Sequence, residues 1–282
     1  MEVVKTREAF RSSATTARGK GLRLGLVPTM GAFHPGHMSL VRAAASQCDV
    51  VAVSIFVNPL QFSSATDLAR YPANLERDLA MAQGAGVGLV FAPSVEEMYP
   101  QGEPETKVQP GRLADGFEGA SRPGHFAGVA TVVTKLLSLA GPCRAFFGEK
   151  DFQQLVVVRR LVADLDIDAE VVACPTVREP DGLACSSRNR RLGPEDRRAA
   201  TVLFRALIAG REALVKGARL AADLEAAMAG VVAAERRARL DYAVVVDPVT
   251  LAAPASLAGE LRLLIAADVG PARLIDNLGV IA

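Results

Sequence analysis

The sequence predicts an α/β fold, with an open parallel sheet in its first part and a smaller α+β domain with an antiparallel sheet in its second. Through about residue 173, short apolar runs alternate with segments of helical periodicity, which is typical of a parallel sheet with helices on both faces. Beyond that point, two long helical segments precede three closely spaced strands. A chain of 282 residues is long enough for two such domains. We therefore predict one domain over residues 1–176 and a second over residues 177–282.

The elements of the first part follow from periodicity and from residues that end strands or begin helices. The β-branched run 49–57 is typical of a strand buried on both faces, and Pro59 ends it because proline cannot donate to a sheet. Asp151 is a suitable N-cap for a helix with an apolar inner face. Glycines and prolines without periodicity predict a long loop over 100–122, a length often found in lids and partner-binding segments. In chain order we predict helix 3–18, strands 22–27 and 49–57, helix 74–83, strand 87–91, helices 94–98 and 128–139, strand 144–147, a helix from 151 and strand 169–173.

The second part has a different order of elements. Alanine, leucine and arginine at helical spacing predict helices near 194–215 and 220–238. Three strands follow at 241–247, 260–267 and 271–276, separated by short turns. Consecutive strands joined by short turns pair in antiparallel fashion, so this part is predicted to form a small α+β domain.

Composition restricts the function classes. Half of the residues are hydrophobic, 22% are charged and the formal net charge is +1, so the chain is globular and shows no broad electrostatic surface for nucleic acid or an anionic membrane. No apolar stretch reaches the roughly 18 residues of a membrane span, and the N-terminus lacks the apolar core of a signal peptide. We therefore expect a cytoplasmic protein. The scattered cysteines indicate reduced, mostly buried thiols and neither a metal site nor a disulfide framework: Cys48, Cys143, Cys174 and Cys185.

The stretch 27–40 is the central motif of the sequence. It joins a predicted strand to a helix through a tight turn that contains Gly31 and Gly36. A helix start presents unpaired backbone N–H groups and the positive end of the helix dipole, which favour phosphate oxygens. His34 and His37 are three residues apart, so both fall on one face of the first helical turn and could donate to the same anion. The alternative is that they only cap the helix, but two of the chain's three histidines lie at this first strand-to-helix turn, where parallel sheets place ligands.

Two further stretches offer positive charge or hydroxyl donors. Lys150 also follows a predicted strand end, where a lysine can neutralise phosphate at the same edge of the sheet, and Gln154 lies one helical turn past Asp151. The alternative is a surface lysine beside a capping aspartate. Within 182–192, Ser187 and Arg188 offer donors that fit phosphate, although the arginines there could equally form a solvated face.

Two more stretches have less specific signals. The amide of Gln61, just after Asn58 and Pro59, could both donate to and accept from a small polar ligand, or the residue could be only part of a turn. His125 lies at the end of the long loop, which spacing alone allows to be a closing lid or an inert connection.

Together these stretches resemble the pantoate-β-alanine ligase (pantothenate synthetase) family, within the superfamily that shares His-x-Gly-His with class I aminoacyl-tRNA synthetases and nucleotidyltransferases. His-x-Gly-His alone is shared across that superfamily, whereas the combination of long motifs in this order is specific. The resemblance extends over residues 2–277 and rests on 28–31, 34–37, 54–62, 122–126, 148–154, 186–189 and 272–277.

The resemblance implies a Rossmann-like first domain, a smaller second domain that closes over ATP, a homodimer and a requirement for Mg2+. It also implies two steps, in which ATP and (R)-pantoate give pantoyl adenylate and pyrophosphate, and β-alanine then attacks to give pantothenate and AMP. His34, His37, Lys150 and Arg188 would be catalytic, because fixed donors stabilise charge that develops on the phosphate. Mg2+ would be held mainly by ATP phosphates, and no protein ligand is assigned to it.

Other contacts carry over residue by residue. Gln61 and Gln154 would hold pantoate, and Gln61 would also contact β-alanine. Cys185 departs from the family, which usually has a larger apolar residue such as Met or Leu there, so its packing against ATP is left open. The residues expected to contact ATP are Met30, Gly31, Ala32, Phe33, His34, Pro35, Gly36, His37, Gly148, Glu149, Lys150, Asp151, Val177, Cys185, Ser186, Ser187 and Arg188.

Two alternative functions compete with the ligase. One is a nucleotidyltransferase that moves AMP or CMP onto a phosphate, and the other is a non-catalytic nucleotide sensor that keeps the fold. The intact histidines, Lys150 and Arg188 argue against the sensor, because a binder has less need of every charge-stabilising group. An aminoacyl-tRNA synthetase is disfavoured by the near-zero net charge, the short chain and the lack of an anticodon-binding region.

Overall fold

The structure, a computed structural model, describes residues 1–69 and 71–282. The chain divides into two compact units, one made of Met1–Glu149 with Gln153–Pro175 and the other of Lys150–Phe152 with Thr176–Ala282. The first unit contains a six-stranded sheet and the second a three-stranded sheet. The division into an ATP- and pantoate-binding domain over residues 1–176 and a smaller lid domain over residues 177–282 stays a prediction.

The elements up to residue 175 are β1 (Glu2–Val4), α1 (Arg7–Gly19), β2 (Leu24–Thr29), α2 (Pro35–Ala45), β3 (Val50–Ile55), α3 (Ala65–Ala69), α4 (Leu75–Gly84), β4 (Leu89–Phe91), α5 (Val95–Met98), α6 (Glu118–Ser121), α7 (His125–Ala140), β5 (Cys143–Gly148), α8 (Phe152–Asp164) and β6 (Ala169–Cys174). The six strands of the first sheet are all parallel and lie in the order β1-β4-β3-β2-β5-β6. The direction in which the chain moves across the sheet reverses between β2 and β5, and such a point is where open parallel sheets bind ligands.

The first unit confirms the predicted parallel sheet, because all of its strand pairs are parallel. β3 is almost entirely buried, and α7 is buried along most of its length. Short 3₁₀ helices cover Pro59–Gln61, Arg112–Ala114 and Glu149–Asp151.

The N-terminus differs from the prediction of one helix over 3–18. Residues 2–4 form an edge strand paired in parallel with β4, because Val3 and Val4 are β-branched and fit a pleated surface. The helix begins after Thr6, whose hydroxyl accepts a hydrogen bond from the backbone N–H of Ala9.

Residues 149–151 form a 3₁₀ turn that the sequence did not predict. α8 begins at Phe152, so Asp151 lies at the position directly before the helix, where the sequence predicted its N-cap. The Asp151 carboxylate also forms an ion pair with the Lys150 ammonium at 3.1 Å.

The elements after residue 175 are a 3₁₀ helix (Ser187–Arg191), α9 (Pro194–Ala199), α10 (Val202–Val215), α11 (Ala221–Ala233), β7 (Ala238–Val246), β8 (Glu260–Val269) and β9 (Ala272–Ile281). The predicted helix 194–215 is divided in two near Thr201. The second unit confirms the predicted antiparallel sheet, with strand order β7-β8-β9. Leucines of α10 and Met228 of α11 share one apolar core with Leu263 and Ile265 of β8.

Among the helices of residues 1–69 and 71–282, none combines the length and apolar character that crossing a membrane requires.

Candidate active site

The turn between β2 and α2 is held in an unusual backbone conformation. Gly31 has φ 80° and Ala32 has φ 55°, both in the left-handed region. A side chain at residue 31 would place its Cβ 2.7 Å from a carboxylate oxygen of Asp78, so glycine is required there for space as well as for conformation. The hydroxyl of Thr29 also accepts a hydrogen bond from the Gly31 N–H at 3.1 Å. Contacts with Thr29 and Asp78 therefore fix the backbone that leads into α2.

His34 and His37 lie together at this helix start. Their ring centroids are 4.0 Å apart, as the spacing of the two residues predicts. His34 is the N-cap of α2, and its Nδ1 accepts a hydrogen bond from the Gly36 N–H at 3.2 Å. Because an accepting Nδ1 carries no proton, the ring proton of His34 lies on Nε2. His34 can therefore present an N–H donor to an anion while it caps the helix.

Asp78 supports this turn, and sequence reasoning missed it. Its side chain is 1% exposed, and its two oxygens accept hydrogen bonds from the N–H groups of Ala32 at 2.7 Å and Phe33 at 2.8 Å. The residue lies in α4, more than forty positions from the turn that it holds. The only sequence signal is that Asp78 is a charged residue on the apolar face of a predicted helix. Periodicity alone does not predict which groups such a residue contacts.

Gln61 lies against the same turn. Its Nε2 donates to the Met30 sulfur at 2.9 Å, and its Oε1 accepts from the Asn58 amide at 3.1 Å. Asn58 is buried and its Oδ1 also accepts from the Tyr99 hydroxyl at 2.8 Å. The first unit thus brings a residue predicted to hold pantoate next to one predicted to contact ATP.

The segment around His125 holds the backbone of Gln61. Nδ1 of His125 lies 2.8 Å and Nη2 of Arg122 lies 3.1 Å from the Gln61 carbonyl oxygen. The sequence left a lid and an inert loop open for this segment, and the structure shows a third role as a support for Gln61. Gly128 is required nearby, because a Cβ there would lie 2.2 Å from the carbonyl oxygen of Leu60.

The two neighbouring glutamines of α8 have different surroundings. Gln154, which the resemblance assigns to pantoate, is partly exposed. Gln153 is buried and holds the long loop, since its Nε2 donates to the carbonyl oxygens of Leu113 and Gly116, both at 2.9 Å. Its Oε1 accepts from the Glu118 N–H at 3.0 Å. The predicted long loop is therefore anchored at residues 113–118.

Lys150 and Arg188 line one depression of the second unit, together with Ser186, Asn189 and Asp276. The Lys150 side chain is only 16% exposed. The hydroxyl of Ser186 accepts from the Arg188 N–H at 3.2 Å, which begins the 3₁₀ helix that carries Arg188. Arg273 also lines the depression, so three cationic residues form a surface that fits an anion.

A buried ion pair supports the base of this depression. The Arg178 guanidinium donates to both carboxylate oxygens of Asp276, at 2.5 and 2.9 Å, and lies over the ring of Phe204. Burial raises the pKa of the Asp276 carboxyl, and the hydrogen bonds from Arg178 oppose that shift. The two hydrogen bonds between Arg178 and Asp276 hold both side chains in a fixed geometry.

The segment from Val177 to Cys185 folds back on itself. The Cys185 N–H donates to the Val177 carbonyl oxygen at 2.9 Å, and Arg178 forms an isolated bridge with Ala184. Gly182 has φ 92°, and any side chain there would meet the Phe204 ring. Val177 and Cys185, both predicted to contact ATP, are thus neighbours, and Cys185 is buried with 7% exposure.

Burial disfavours the thiolate form of the remaining three cysteines. Burial raises the pKa of the Cys143 thiol to about 12, and it also raises the pKa values of Cys48 and Cys174. A high thiol pKa leaves little thiolate at neutral pH. Within the described ranges, no disulfide joins any of the four cysteines.

A comparison with known protein families agrees with the order of the motifs in the sequence. Residues 2–279 match the family model described as pantoate-beta-alanine ligase. The chain belongs to the pantoate-beta-alanine ligase family. The match covers both units, so it includes the histidine turn as well as the depression that Lys150 and Arg188 line.

Individual relatives support the family assignment. The pantothenate synthetase of Moorella thermoacetica is 51% identical over 278 residues, which is 99% of this chain and 98% of that protein. The crystal structure of the pantothenate synthetase from Thermus thermophilus has a TM-score of 0.93 and 49% identity, with 100% of both chains covered. The pantoate-beta-alanine ligase from Francisella tularensis, solved in complex with beta-gamma ATP and beta-alanine, has a TM-score of 0.82 and 35% identity, covering 99% of this chain and 97% of that one.

Proposed function

We propose that this chain condenses (R)-pantoate with β-alanine in two steps, through pantoyl adenylate, with release of pyrophosphate and then AMP. The overall ATP-dependent ligase reaction follows from the family. The observation that carries the two-step mechanism is the pair of histidine rings, 4.0 Å apart at the start of α2. A helix start with two imidazole donors suits a phosphate on which negative charge grows during adenylation.

The adenylation step needs stabilised charge rather than a covalent enzyme nucleophile. The pantoate carboxylate attacks the α-phosphorus of ATP, the bond to the β-phosphate oxygen breaks and pyrophosphate leaves with the electron pair. His34 and His37 are proposed to donate to the developing charge, and Lys150 and Arg188 to neutralise the triphosphate. Ser186 and Ser187 are proposed to donate to phosphate oxygens.

The second step uses the acyl group that adenylation has activated. The amine of β-alanine attacks the acyl carbon of pantoyl adenylate, the carbon–oxygen bond to AMP breaks and the amine loses a proton. Gln61 and Gln154 are proposed to hold pantoate, and Gln61 also to contact β-alanine. The Gln61 carbonyl is fixed by His125 and Arg122, which supports a positioning role for that residue.

Mg2+ is proposed to bind with the nucleotide. The carboxylate that supports the histidine turn, Asp78, already accepts backbone N–H groups with both of its oxygens. Mg2+ prefers a few oxygen ligands together with substrate phosphates. The ion would lower the charge of the triphosphate, and no protein ligand is assigned to it. A homodimer and a cytoplasmic location, without a nucleic-acid or membrane partner, complete the proposal as predictions from the sequence.

The proposal is tested by pyrophosphate release from purified protein with ATP and Mg2+. Pantoate alone is expected to give a burst of about one pyrophosphate per active site, and β-alanine is expected to convert it into steady turnover with AMP formation. Omission of pantoate is the control. Pyrophosphate release that needs β-alanine from the first turnover would contradict the adenylate intermediate.

Gln61→Ala is expected to raise the pantoate KM by about tenfold or more, because the amide that holds this substrate is lost. The measurement is adenylation rate against pantoate concentration at saturating ATP. Lys150→Ala is the contrast, since it should slow adenylation even at saturating pantoate. Gln101→Ala changes an exposed glutamine and serves as the matched control. An unchanged pantoate KM in Gln61→Ala would remove this residue from the pantoate site.

Alkylation of Cys185 is expected to be slower with Mg-ATP bound than without it, because the nucleotide would cover this segment. The other three thiols have raised pKa values and provide internal references in the same peptide map. A Cys185→Ser variant is the control and should keep its adenylation rate after treatment with the reagent. Equal labelling of Cys185 with and without Mg-ATP would place it outside the nucleotide site.

A further inference from the structure

Asn277 of β9 is tied to the backbone of Lys150. The side chain of Asn277 is buried, and its Nδ2 donates to the Lys150 carbonyl oxygen at 2.8 Å. Its Oδ1 accepts from Nε of Arg262 at 2.7 Å. Its backbone N–H donates to Asp276 at 2.8 Å and its carbonyl oxygen accepts from Arg178 at 3.2 Å. All of these residues belong to the second unit.

The orientation of the Asn277 amide is set by its partners. Arginine has donors and no acceptor, so the group facing Arg262 must be the amide oxygen. The amide nitrogen is then directed at the Lys150 carbonyl, which can only accept. Arg262 is itself held, because its guanidinium lies 4.1 Å from the centroid of the Phe152 ring. The contacts therefore hold the chain at residues 150 and 152, on both sides of Asp151.

We propose that Asn277 is a positioning residue for the ammonium group of Lys150. The inference rests on the proposed function, in which Lys150 neutralises the triphosphate. A lysine side chain has four rotatable bonds and loses considerable entropy when its ammonium is confined. Fixing the backbone of Lys150 reduces the space that its ammonium samples. Less conformational entropy is then lost when the ammonium binds the triphosphate. Asn277 does not touch substrate in this role and acts only through Lys150.

The buried ion pair behind Asn277 makes the anchor rigid. Asp276 and Arg178 bond to each other, and they also bond to the backbone N–H and carbonyl oxygen of Asn277 respectively. The depression lined by Lys150 and Arg188 also includes Asp276. The motif 272–277, which the resemblance contains but to which it assigns no contact, thereby acquires a role as the support of Lys150.

The sharpest test is Asn277→Asp, which keeps the size of the side chain and an acceptor for Arg262. It replaces the donor to Lys150 with an oxygen that faces the carbonyl oxygen, so the anchor becomes repulsive. We expect the single-turnover rate of pyrophosphate formation to fall by about tenfold, with the pantoate KM within about twofold of the wild-type value. Val280→Ala removes buried atoms from the same strand and is the matched control, with an unchanged rate.

A double-mutant cycle separates positioning from a structural effect. In a Lys150→Ala background, Asn277→Asp is expected to change the rate by less than about twofold, because the group that it positions is already gone. Additive losses, or a wild-type rate in the single variant, would overturn the proposal. If Asn277→Asp does not fold, Arg262→Ala carries the same cycle, since the guanidinium sets the orientation of the amide.

The same experiment distinguishes failure of the inference from failure of the proposed function. A normal adenylation rate in Lys150→Ala would refute the role of Lys150 and the positioning proposal together. A slow Lys150→Ala with a normal Asn277→Asp would refute only the positioning proposal. A slow rate in both single variants without additivity would support both.

Discussion

Replacing His37 with alanine is expected to slow pantoyl adenylate formation by about a hundredfold or more, the usual effect of losing a preorganised donor to developing charge. The ring of His37 lies 4.0 Å from that of His34 and 5.5 Å from that of Phe33. It is therefore held on the face of α2 where the helix dipole is positive. The measurement is the rate of the pyrophosphate burst with ATP, Mg2+ and pantoate, without β-alanine.

Arg42→Ala is the matched control for this experiment. Arg42 lies in the same helix and is exposed near its C-terminal end, so its loss should leave the burst rate unchanged. The thermal unfolding midpoint of His37→Ala should be measured beside the rate. A burst at the wild-type rate in His37→Ala would rule out the proposed role of this histidine in adenylation.

Asp78→Ala is expected to lower both the stability of the protein and the adenylation rate. The substitution leaves the buried N–H groups of Ala32 and Phe33 without their acceptor, and an unsatisfied buried donor costs about 1–3 kcal/mol. We expect a loss of about 3 kcal/mol in the free energy of unfolding. Because the carboxylate also holds the turn before the histidines, adenylation should slow by about tenfold or more even where the variant is fully folded.

The comparison with an exposed aspartate isolates the effect of burial. Asp49 also accepts a backbone N–H, that of Arg23 at 2.8 Å, but it is exposed. Water can replace its carboxylate, so Asp49→Ala should be much less destabilising. Urea unfolding measures stability, and the pyrophosphate burst at low temperature measures the rate of the folded fraction. Equal stability of Asp78→Ala and Asp49→Ala would show that the turn does not depend on Asp78.

Much of the fold could be predicted because its signals are local. The β-branched run at 49–57 and the alternation of strands with helices indicated the parallel sheet that β3 and its neighbours form. Element ends were less predictable. Residues 2–4 became a strand only through pairing with β4, a contact between segments more than eighty residues apart that periodicity does not contain.

Within the candidate site, the histidine turn could be predicted from the sequence, whereas the residues that support the site could not. The histidine turn was visible as two glycines and two histidines at a strand end, and their rings lie together as the spacing predicts. The supports of the site were not visible. Gln153, Asn277 and Asp78 act through hydrogen bonds to distant backbone groups, and nothing next to them in the chain distinguishes such partners.

The sequence by itself determined the family, the two kinds of sheet and the chemical groups offered to a phosphate, because motifs and periodicity are properties of neighbouring residues. Only the tertiary structure decided how those groups are held. It placed the Asp78 carboxylate beneath the turn at residues 31–33 and the Asn277 amide against the Lys150 carbonyl. Hydrogen-bond direction depends on where distant segments pack, and a buried polar group must find its partner there rather than in the adjoining sequence.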